Sequence, residues 1–342
     1  MSIKAETKRK LMLYMQEHID NDDAAFISKT TDAFGVSRTS AYRYLTAMKA
    51  DGTVVANDSR RCGYQLKETV YSFRYDAGKR LNEDRIYVSD IKPIFKDHPK
   101  NVYDILQYIF TEMMNNAIEH AEATEIAVTV VTNNIRSRIT IEDNGIGIFK
   151  KIQNYFQSKG EDMSLDEAVN ALLPGKLTTA AQNHSGEGIF FSSRAADHFV
   201  ILSGDRVFRK DNFSPDQYEP SQSPVWGTSV TFSLSNFSPK LLKDVFDTYS
   251  DPDKGFFRTQ IPIANMFPNG DPVSRSEARR LASFLTRFEE VTHDFKNVES
   301  IGQAFTHELF IVFRNNNPQT QLHVENACDD VQRMISRVIN TK

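Results

Sequence analysis

Three short stretches of the chain combine residue types that suit the binding of a charged ligand. The segment EMMNNAIEH places a carboxylate, Glu112, and an amide, Asn116, one helical turn apart. The segment DNGIGI, from Asp143 to Ile148, opens a glycine turn with an aspartate, and GEGI, from Gly186 to Ile189, supplies a second glycine turn. Carboxylate and amide oxygens, with close backbone approach at glycines, can together hold a divalent cation, a purine base and a triphosphate.

The order of these stretches resembles the ATP-binding superfamily shared by gyrase, the large heat-shock chaperones, histidine kinases and MutL-type repair proteins (GHKL). The first is similar to the N box of that family, the second to its adenine-contacting glycine box, and the third to the glycine turn that closes its ATP lid. The resemblance covers roughly the middle half of the chain. It implies Asn116 as a Mg²⁺ ligand and Asp143 as the acceptor of a hydrogen bond from the adenine amino group. It also implies close backbone approach to ATP at Gly145, Gly147, Gly186, Gly188 and a later Gly227-Thr228 turn.

The first stretch must lie on a helix. Apolar residues recur at helical spacing from Val102 to Ala121, which predicts a half-buried helix. Glu112 falls at the edge of its apolar arc, whereas Asn116 and His120 fall inside it. A polar group without a partner there costs about 1–3 kcal/mol, which a ligand or metal would remove. The alternative is an Asn116 side chain that bonds to neighbouring backbone.

The glycine stretches follow or precede regular elements. Ile135 to Ile141 is strand-like, so DNGIGI marks the turn after a strand, and an ordinary hairpin turn is the alternative. A helix is expected after GEGI, because helix amides favour phosphate oxygens. Residues 149–185 then form the predicted ATP lid, with a short helix from Leu165 to Leu173. Lys159 or Lys176 can reach a phosphate from this segment or remain on the surface.

Residues 1–68 are predicted to be a winged helix-turn-helix domain. The expected helices and the two-strand wing are Leu11–Ile19, Ala25–Phe34, Arg38–Lys49, Val54-Val55 and Tyr64–Leu66. Residues 34–67 carry six Lys or Arg against two Asp, although the whole chain has a formal net charge of −4, and this local excess suits phosphate contacts. The predicted DNA-binding residues are Ser37, Arg38, Thr39, Ser40, Arg43, Arg60 and Arg61. A domain that serves only protein contact or dimerisation is the alternative.

The rest of the chain divides into two predicted domains. The ATP-binding domain spans 69–250, and its segment 70–100 is expected to pack on it rather than form a loose tether. Residues 255–342 alternate strand and helix signals, including a strand from Gln260 to Met266 and a helix opened by the capping-box pair Ser274 and Glu277. This part resembles the STAS-like domain, chiefly through DFKNVESIGQAFTHELF. Within it, Ser300 is interpreted as a helix cap or as a phosphoacceptor, and four arginines between 275 and 287 as a solvated helix face.

The predicted fold class is therefore multi-domain α/β: a mostly helical winged helix, a GHKL α/β sandwich and a small STAS-like α/β domain. No apolar run reaches the roughly 18 residues that span a membrane. Two cysteines, Cys62 and Cys328, predict neither a disulfide framework nor a metal site, and the expected compartment is the cytoplasm.

Three functions fit these features. The first is a regulator of double-stranded DNA in which Mg²⁺ and ATP, followed by slow hydrolysis, switch conformation or oligomeric state, with Glu112 as the general base. The second is a serine protein kinase resembling the anti-sigma-factor kinases. The third is a nucleotide-gated interaction protein with negligible turnover. All three allow a homodimer and a protein partner at the STAS-like domain, and none involves a membrane.

Overall fold

A computed structural model of the chain describes residues 5–176, 187–211, 224–251, 253–267 and 270–340. Its N-terminal unit consists of three helices and a two-stranded antiparallel sheet: α1 (Ala5–Asp20), α2 (Phe26–Phe34), α3 (Arg38–Ala50), β1 (Val54–Ala56) and β2 (Tyr64–Leu66). Leu11, Met15 and Ile19 recur every four residues along α1 and are fully buried, so one face of this helix forms the core of the unit. The three predicted helices and both predicted wing strands are present.

The central unit is a six-stranded sheet covered by helices. In chain order its strands are β3 (Thr69–Asp76), β4 (Glu125–Thr132), β5 (Arg136–Asp143), β6 (His198–Gly204), β7 (Arg206–Asp211) and β8 (Val225–Ser235). They are arranged β3-β4-β5-β8-β6-β7, and all neighbours are antiparallel. The helices are α4 (Glu83–Ile86), α5 (Lys100–His120), α6 (Ile148–Ser158), α7 (Leu165–Asn170), α8 (Gly188–Ala195) and α9 (Leu242–Tyr249).

Two predictions about this unit are confirmed. Helix α5 is the predicted N-box helix, and it packs on β5 and β8. Its fully buried side chains include Ile105, Ile109 and Met114. The segment expected to pack on the ATP-binding domain does so, and its first part is the edge strand β3, paired with β4 from Thr69↔Thr132 to Asp76↔Glu125. The chain therefore leaves the N-terminal unit directly into the central sheet.

The C-terminal unit is a three-stranded parallel sheet with helices. A short antiparallel pair, β9 (Ser250–Asp251) and β10 (Gly255–Phe256), precedes the sheet strands β11 (Arg258–Pro262), β12 (Glu290–Asp294) and β13 (Gln321–Glu325). The helices are α10 (Ile263–Met266), α11 (Arg275–Leu285), α12 (Gln303–His307), α13 (Arg314–Asn316) and α14 (Asp329–Asn340). One continuous apolar cluster runs from Ile86 to Ile335, so this unit shares its core with the central sheet.

Of two local predictions for the C-terminal unit, the capping box is confirmed and the strand from Gln260 is only half correct. The capping box is present, since Ser274 Oγ accepts from the Glu277 amide while the Glu277 carboxylate accepts from the Ser274 amide. The strand predicted from Gln260 to Met266 is wrong in its second half, because the chain turns into α10 after Pro262. A proline fixes φ at a helix-compatible value and removes a ladder donor, which favours this change of element.

Ser300 is not a helix cap. Helix α12 begins at Gln303 with Gly302 as its N-cap. The Ser300 amide and hydroxyl instead both donate to Asp271 Oδ2, at 2.6 and 2.9 Å. The carboxylate of a neighbouring loop, rather than the helix end, therefore fixes this serine.

The fully buried His293 on β12 predicts a pH-dependent stability of the C-terminal unit. Its ring lies 5.7 Å from that of Phe310, and neither ring nitrogen has a hydrogen-bond partner among the described residues. Burial lowers the pKa of His293 from 6.5 to about 4, although the backbone of His323 acts in the opposite direction. The unfolded chain thus binds this proton first, so we expect the free energy of unfolding to fall as pH decreases from 6.5 to 4, by about 3 kcal/mol in total.

Urea unfolding across this pH range tests the expectation. His293→Phe should remove the corresponding part of the pH slope, because a phenyl ring keeps the apolar packing but takes up no proton. An identical slope in wild type and variant would show that other groups cause the acid sensitivity.

Candidate nucleotide-binding site

The end of strand β5 places a buried carboxylate at the centre of the candidate site. Asp143 is 8% exposed, and its Oδ1 accepts from the amides of Gly145 at 2.9 Å and Thr228 at 3.3 Å. Burial raises the pKa of the Asp143 carboxyl above its usual value, and these two amides offset only part of that effect. Both backbone bonds end on Oδ1, so Oδ2 is the oxygen with capacity for a further donor.

The chain around Asp143 is too tight for side chains. A Cβ at Gly145 would lie 1.9 Å from the Ala121 carbonyl oxygen, and one at Gly227 would lie 2.0 Å from that of Asp143. Gly227 also has φ +81°, which favours glycine. The turn after β5 leads through Gly147, the N-cap of α6, into that helix, so the hairpin alternative for DNGIGI is wrong.

Thr228 connects the glycine turn that follows β5 with the later Gly227-Thr228 turn. Thr228 is 7% exposed, and its Oγ1 accepts from the Ile148 amide at 3.0 Å. Its own amide donates to Asp143. The late glycine-threonine turn therefore lies directly against Asp143.

Helix α5 carries the amide and the second carboxylate to the same region. Asn116 and Glu112 are half-buried, one turn apart. The Asn116 side chain makes no hydrogen bond to the described part of the chain, so the alternative of a backbone-bonded asparagine finds no support there. Burial first, and then the carboxylates of Glu112 and Glu187, raise the pKa of the Tyr108 hydroxyl, which places both carboxylates near this tyrosine. Tyr108, one turn before Glu112, was not predicted from the sequence.

The second glycine turn meets the same helix. A Cβ at Gly188 would lie 2.1 Å from Glu112 Oε2, so the first residue of α8 lies against the candidate general base. The expected helix after GEGI is present as α8, and its first residue, Gly188, lies beside that carboxylate. Gly186 and residues 177–185 of the predicted lid lie outside the described residues, whereas its earlier part contains α6 and the predicted short helix as α7.

The two lysines considered for phosphate contact have other partners. Lys159 Nζ lies 4.4 Å from the centre of the Tyr155 ring. Lys176 Nζ donates to the Arg287 carbonyl at 2.9 Å and lies over the Phe256 and Phe288 rings at 5.3 and 4.9 Å. Burial lowers the pKa of Lys176, although the Glu187 carboxylate acts in the opposite direction.

Comparisons with known families agree with this geometry. Residues 101–236 match the family model described as histidine kinase-, DNA gyrase B- and HSP90-like ATPase. The chain contains a GHKL-type ATPase domain. Residues 278–332 match a STAS-like domain of unknown function. No curated protein matches the chain. Among the described residues, no helix combines the length and apolar character needed to cross a membrane.

The residues of this GHKL-type domain fit ATP and Mg²⁺. A buried carboxylate whose two backbone hydrogen bonds both end on Oδ1 suits a further donor such as an exocyclic amino group. Gly145 and Gly227 allow the backbone to pack closely around this carboxylate, because a Cβ at either position would clash with a carbonyl oxygen. The accessible Asn116 amide supplies an oxygen of the kind Mg²⁺ prefers. When bound, Mg²⁺ would offset negative charge on the phosphates.

Most of the predicted DNA-binding residues lie at the start of α3. Arg38, Thr39 and Arg43 are exposed on α3, whereas Ser40 is half-buried. Ser37 caps α3, since its Oγ accepts from the Ser40 amide at 3.2 Å. These positions are the N-cap and the first two turns of the helix.

The two arginines of the predicted wing differ in their contacts. Arg60 Nη2 donates to the carbonyls of Ile19 and Asp20 at 2.7 and 2.8 Å, which satisfies the C-terminal end of α1. The Arg61 side chain is 78% exposed, 3.5 Å from Asp22. The structure thus gives Arg60 a structural role that the sequence did not indicate.

Sequence reasoning also missed the joint between the N-terminal unit and the sheet. The β4–β5 hairpin inserts Ile135, 2% exposed, into the N-terminal apolar cluster. Arg136 Nε pairs with Asp20 Oδ2 at 2.9 Å, and Asn133 and Asn134 donate to Asp20 and Gln16 at 2.9 and 2.6 Å. Only the polar Asn-Asn turn followed by an isoleucine hints at such a contact in the sequence.

Proposed function

We propose that the chain is an ATP-dependent regulator of double-stranded DNA, in which Mg–ATP binding and slow hydrolysis switch conformation or oligomeric state. One observation carries this proposal. Strand β5 has the buried Asp143 at one end, and at the other end the hairpin whose Ile135 is part of the N-terminal core. A nucleotide that shifts β5 would therefore act directly on the unit that carries α3.

The geometry supports the following roles. Asp143 would accept a hydrogen bond from the adenine amino group through Oδ2. The glycine backbone at 145, 147 and 188 would approach the nucleotide. Asn116 would ligate Mg²⁺. Glu112 would accept a proton from the attacking water, because it lies one turn before Asn116 and beside the start of α8. In the N-terminal unit, Arg38, Arg43 and Arg61 would contact DNA phosphates.

ATP turnover measured with and without a duplex of random sequence, alongside the oligomeric state, tests the proposal. We expect ATP binding that depends on Mg²⁺, slow release of phosphate and a change in DNA affinity or oligomeric state on binding. Labelled protein in place of free phosphate from γ-labelled ATP would favour the kinase function, with Ser300→Ala identifying the acceptor. A chain that does not bind Mg–ATP would contradict the proposal.

The DNA half of the proposal has a separate prediction. Replacing both Arg38 and Arg43 with alanine should weaken duplex binding equally for unrelated sequences and reduce the slope of log K against log salt by about 2, because two phosphate contacts are lost. Fluorescence anisotropy at several salt concentrations measures both quantities. Arg333→Ala, which removes an exposed charge from α14, is the control and should change neither. Unchanged binding in the double variant would favour the protein-contact alternative.

A further inference from the structure

One aromatic side chain of the C-terminal unit contacts described residues on both sides of the second glycine turn. These residues are Gly175, before the turn, and Phe190 on α8, after it. Phe256, on β10, is 3% exposed. Its ring centre lies 4.5 Å from that of Phe190 and 5.0 Å from that of Phe191, both on α8. On its other side it lies 5.1 Å from Phe288, which follows α11. Phe256 thus joins the helix that begins at Gly188 to the core of the C-terminal unit.

The flank that precedes the turn is held by the same cluster. A Cβ at Gly175 would lie 2.8 Å from both Phe190 and Phe256, so the backbone passes directly over these rings. The Pro174 carbonyl accepts from the buried Thr259 hydroxyl at 2.7 Å. Each of these contacts comes from an aromatic ring of the cluster or from strand β11.

Lys176 adds a reciprocal pair of contacts. Its Nζ donates to the Arg287 carbonyl at 2.9 Å, and Arg287 Nη1 donates back to the Lys176 carbonyl. Lys176 has φ +55°, a backbone conformation that a non-glycine residue keeps only where its surroundings enforce it. Strained residues of this kind concentrate at ligand clamps and switches, which is consistent with a role in the neighbouring site.

The other flank leads directly to the candidate base. Gly188 lies against Glu112 Oε2, and α8 packs on α5. Any change in how the Phe190 ring packs against Phe256 would therefore shift Gly188 relative to Glu112. The path from the C-terminal unit to this carboxylate runs through Phe256, Phe190 and Gly188.

We propose that the C-terminal unit controls the nucleotide site, with Phe256 as the positioning residue that sets the place of α8 relative to Glu112 and Arg287 as the residue that holds Lys176 over the Phe256 ring. This inference rests on the proposed ATP function. The ligand of the site is ATP, and the C-terminal unit is its regulatory input. A partner that alters the packing around Phe256 would change ATP affinity or turnover without touching the nucleotide.

Two matched pairs of variants test this control. Phe256→Leu is compared with Phe295→Leu, since Phe295 is also fully buried in the C-terminal unit but stacks near His293. Arg287→Ala is compared with Arg279→Ala, an exposed arginine on the same helix region whose partner is Glu308. Calorimetric titration with Mg–ATP, steady-state turnover and thermal unfolding without nucleotide are measured for all four.

We expect Phe256→Leu and Arg287→Ala to lower ATP affinity or kcat by about tenfold or more, because small displacements of positioned groups have effects of this size. The controls should keep both parameters, even where Phe295→Leu lowers thermal stability as much as Phe256→Leu. Equal nucleotide parameters in test and control variants would overturn the control by the C-terminal unit. Should Phe256→Leu fail to fold, the exposed Arg287 pair decides alone. Absence of ATP binding in the wild type would instead overturn the proposed function, and this inference with it.

Discussion

Replacing Asp143 with asparagine is expected to weaken Mg–ATP binding by about 30-fold, with no loss of stability in the nucleotide-free protein. A hydrogen bond to a charged acceptor contributes about 2 kcal/mol, which corresponds to this factor. Burial raises the pKa of Asp143, so the ionised carboxylate is less favourable in the folded than in the unfolded chain at neutral pH. Removing the charge should therefore leave the free energy of unfolding unchanged or increase it.

The choice of nucleotide makes this test specific. Inosine triphosphate lacks the exocyclic amino group that Asp143 is proposed to bind, so wild type should prefer ATP by about the same factor of 30. Asp143→Asn should lose this preference, and the two effects should not add, because both remove the same interaction. The exposed Asp162→Asn provides the control variant. A variant that still discriminates between the nucleotides would show that another group reads the adenine.

The separation of stability from binding also explains why this site could be read from the sequence. The Asp143 carboxylate is buried at a cost in folding free energy, and it stands beside glycines at which a Cβ would clash with backbone. Residues under such constraints appear as dense local patterns, DNGIGI and GEGI, which can be recognised before their distant partners are known. Helical periodicity likewise predicted α5, because burial of one face follows directly from the spacing of apolar residues.

Long-range partners could not be predicted in this way. The partners of the α11 arginines are an example: Arg275 and Arg279 pair with Glu308, and Arg280 pairs with Glu167 on α7. These arginines are exposed, as the interpretation of a solvated helix face expects, but the sequence does not show which carboxylates tertiary packing brings to them.

Phe256 is a second example of this limit. In the sequence it is one of 24 phenylalanines, and only the fold shows that it contacts Phe190, Phe191 and Phe288. Burial of an aromatic ring is encoded locally, but the identity of its neighbours depends on how three units meet. Contacts between units, which carry the proposed coupling, are therefore the part of the molecule that the sequence leaves open.

Glu112→Gln is expected to lower the rate of ATP hydrolysis by a factor of about 10² to 10⁴ while leaving the affinity for Mg–ATP nearly unchanged. Glutamine keeps the size of the side chain and its contact with Gly188, but it cannot accept the proton of the attacking water. Single-turnover release of phosphate gives the rate, and calorimetry gives the affinity. Glu119→Gln, an exposed carboxylate on the same helix, is the matched control.

The pattern across both measurements assigns the role of this carboxylate. Loss of rate with retained affinity would place the effect in the transition state, as a general base requires. Loss of affinity alone would mean that Glu112 acts in the ground state, for example by holding the start of α8 through Gly188. Full hydrolysis by the glutamine variant would exclude the base role, and the switch would then depend on binding rather than on turnover. Glu112 lies between the Mg²⁺ candidate Asn116 and the contacts that lead from Phe256 to Gly188. A loss of rate would therefore indicate that the C-terminal unit can act on hydrolysis, and a loss of affinity that it can act on ATP binding.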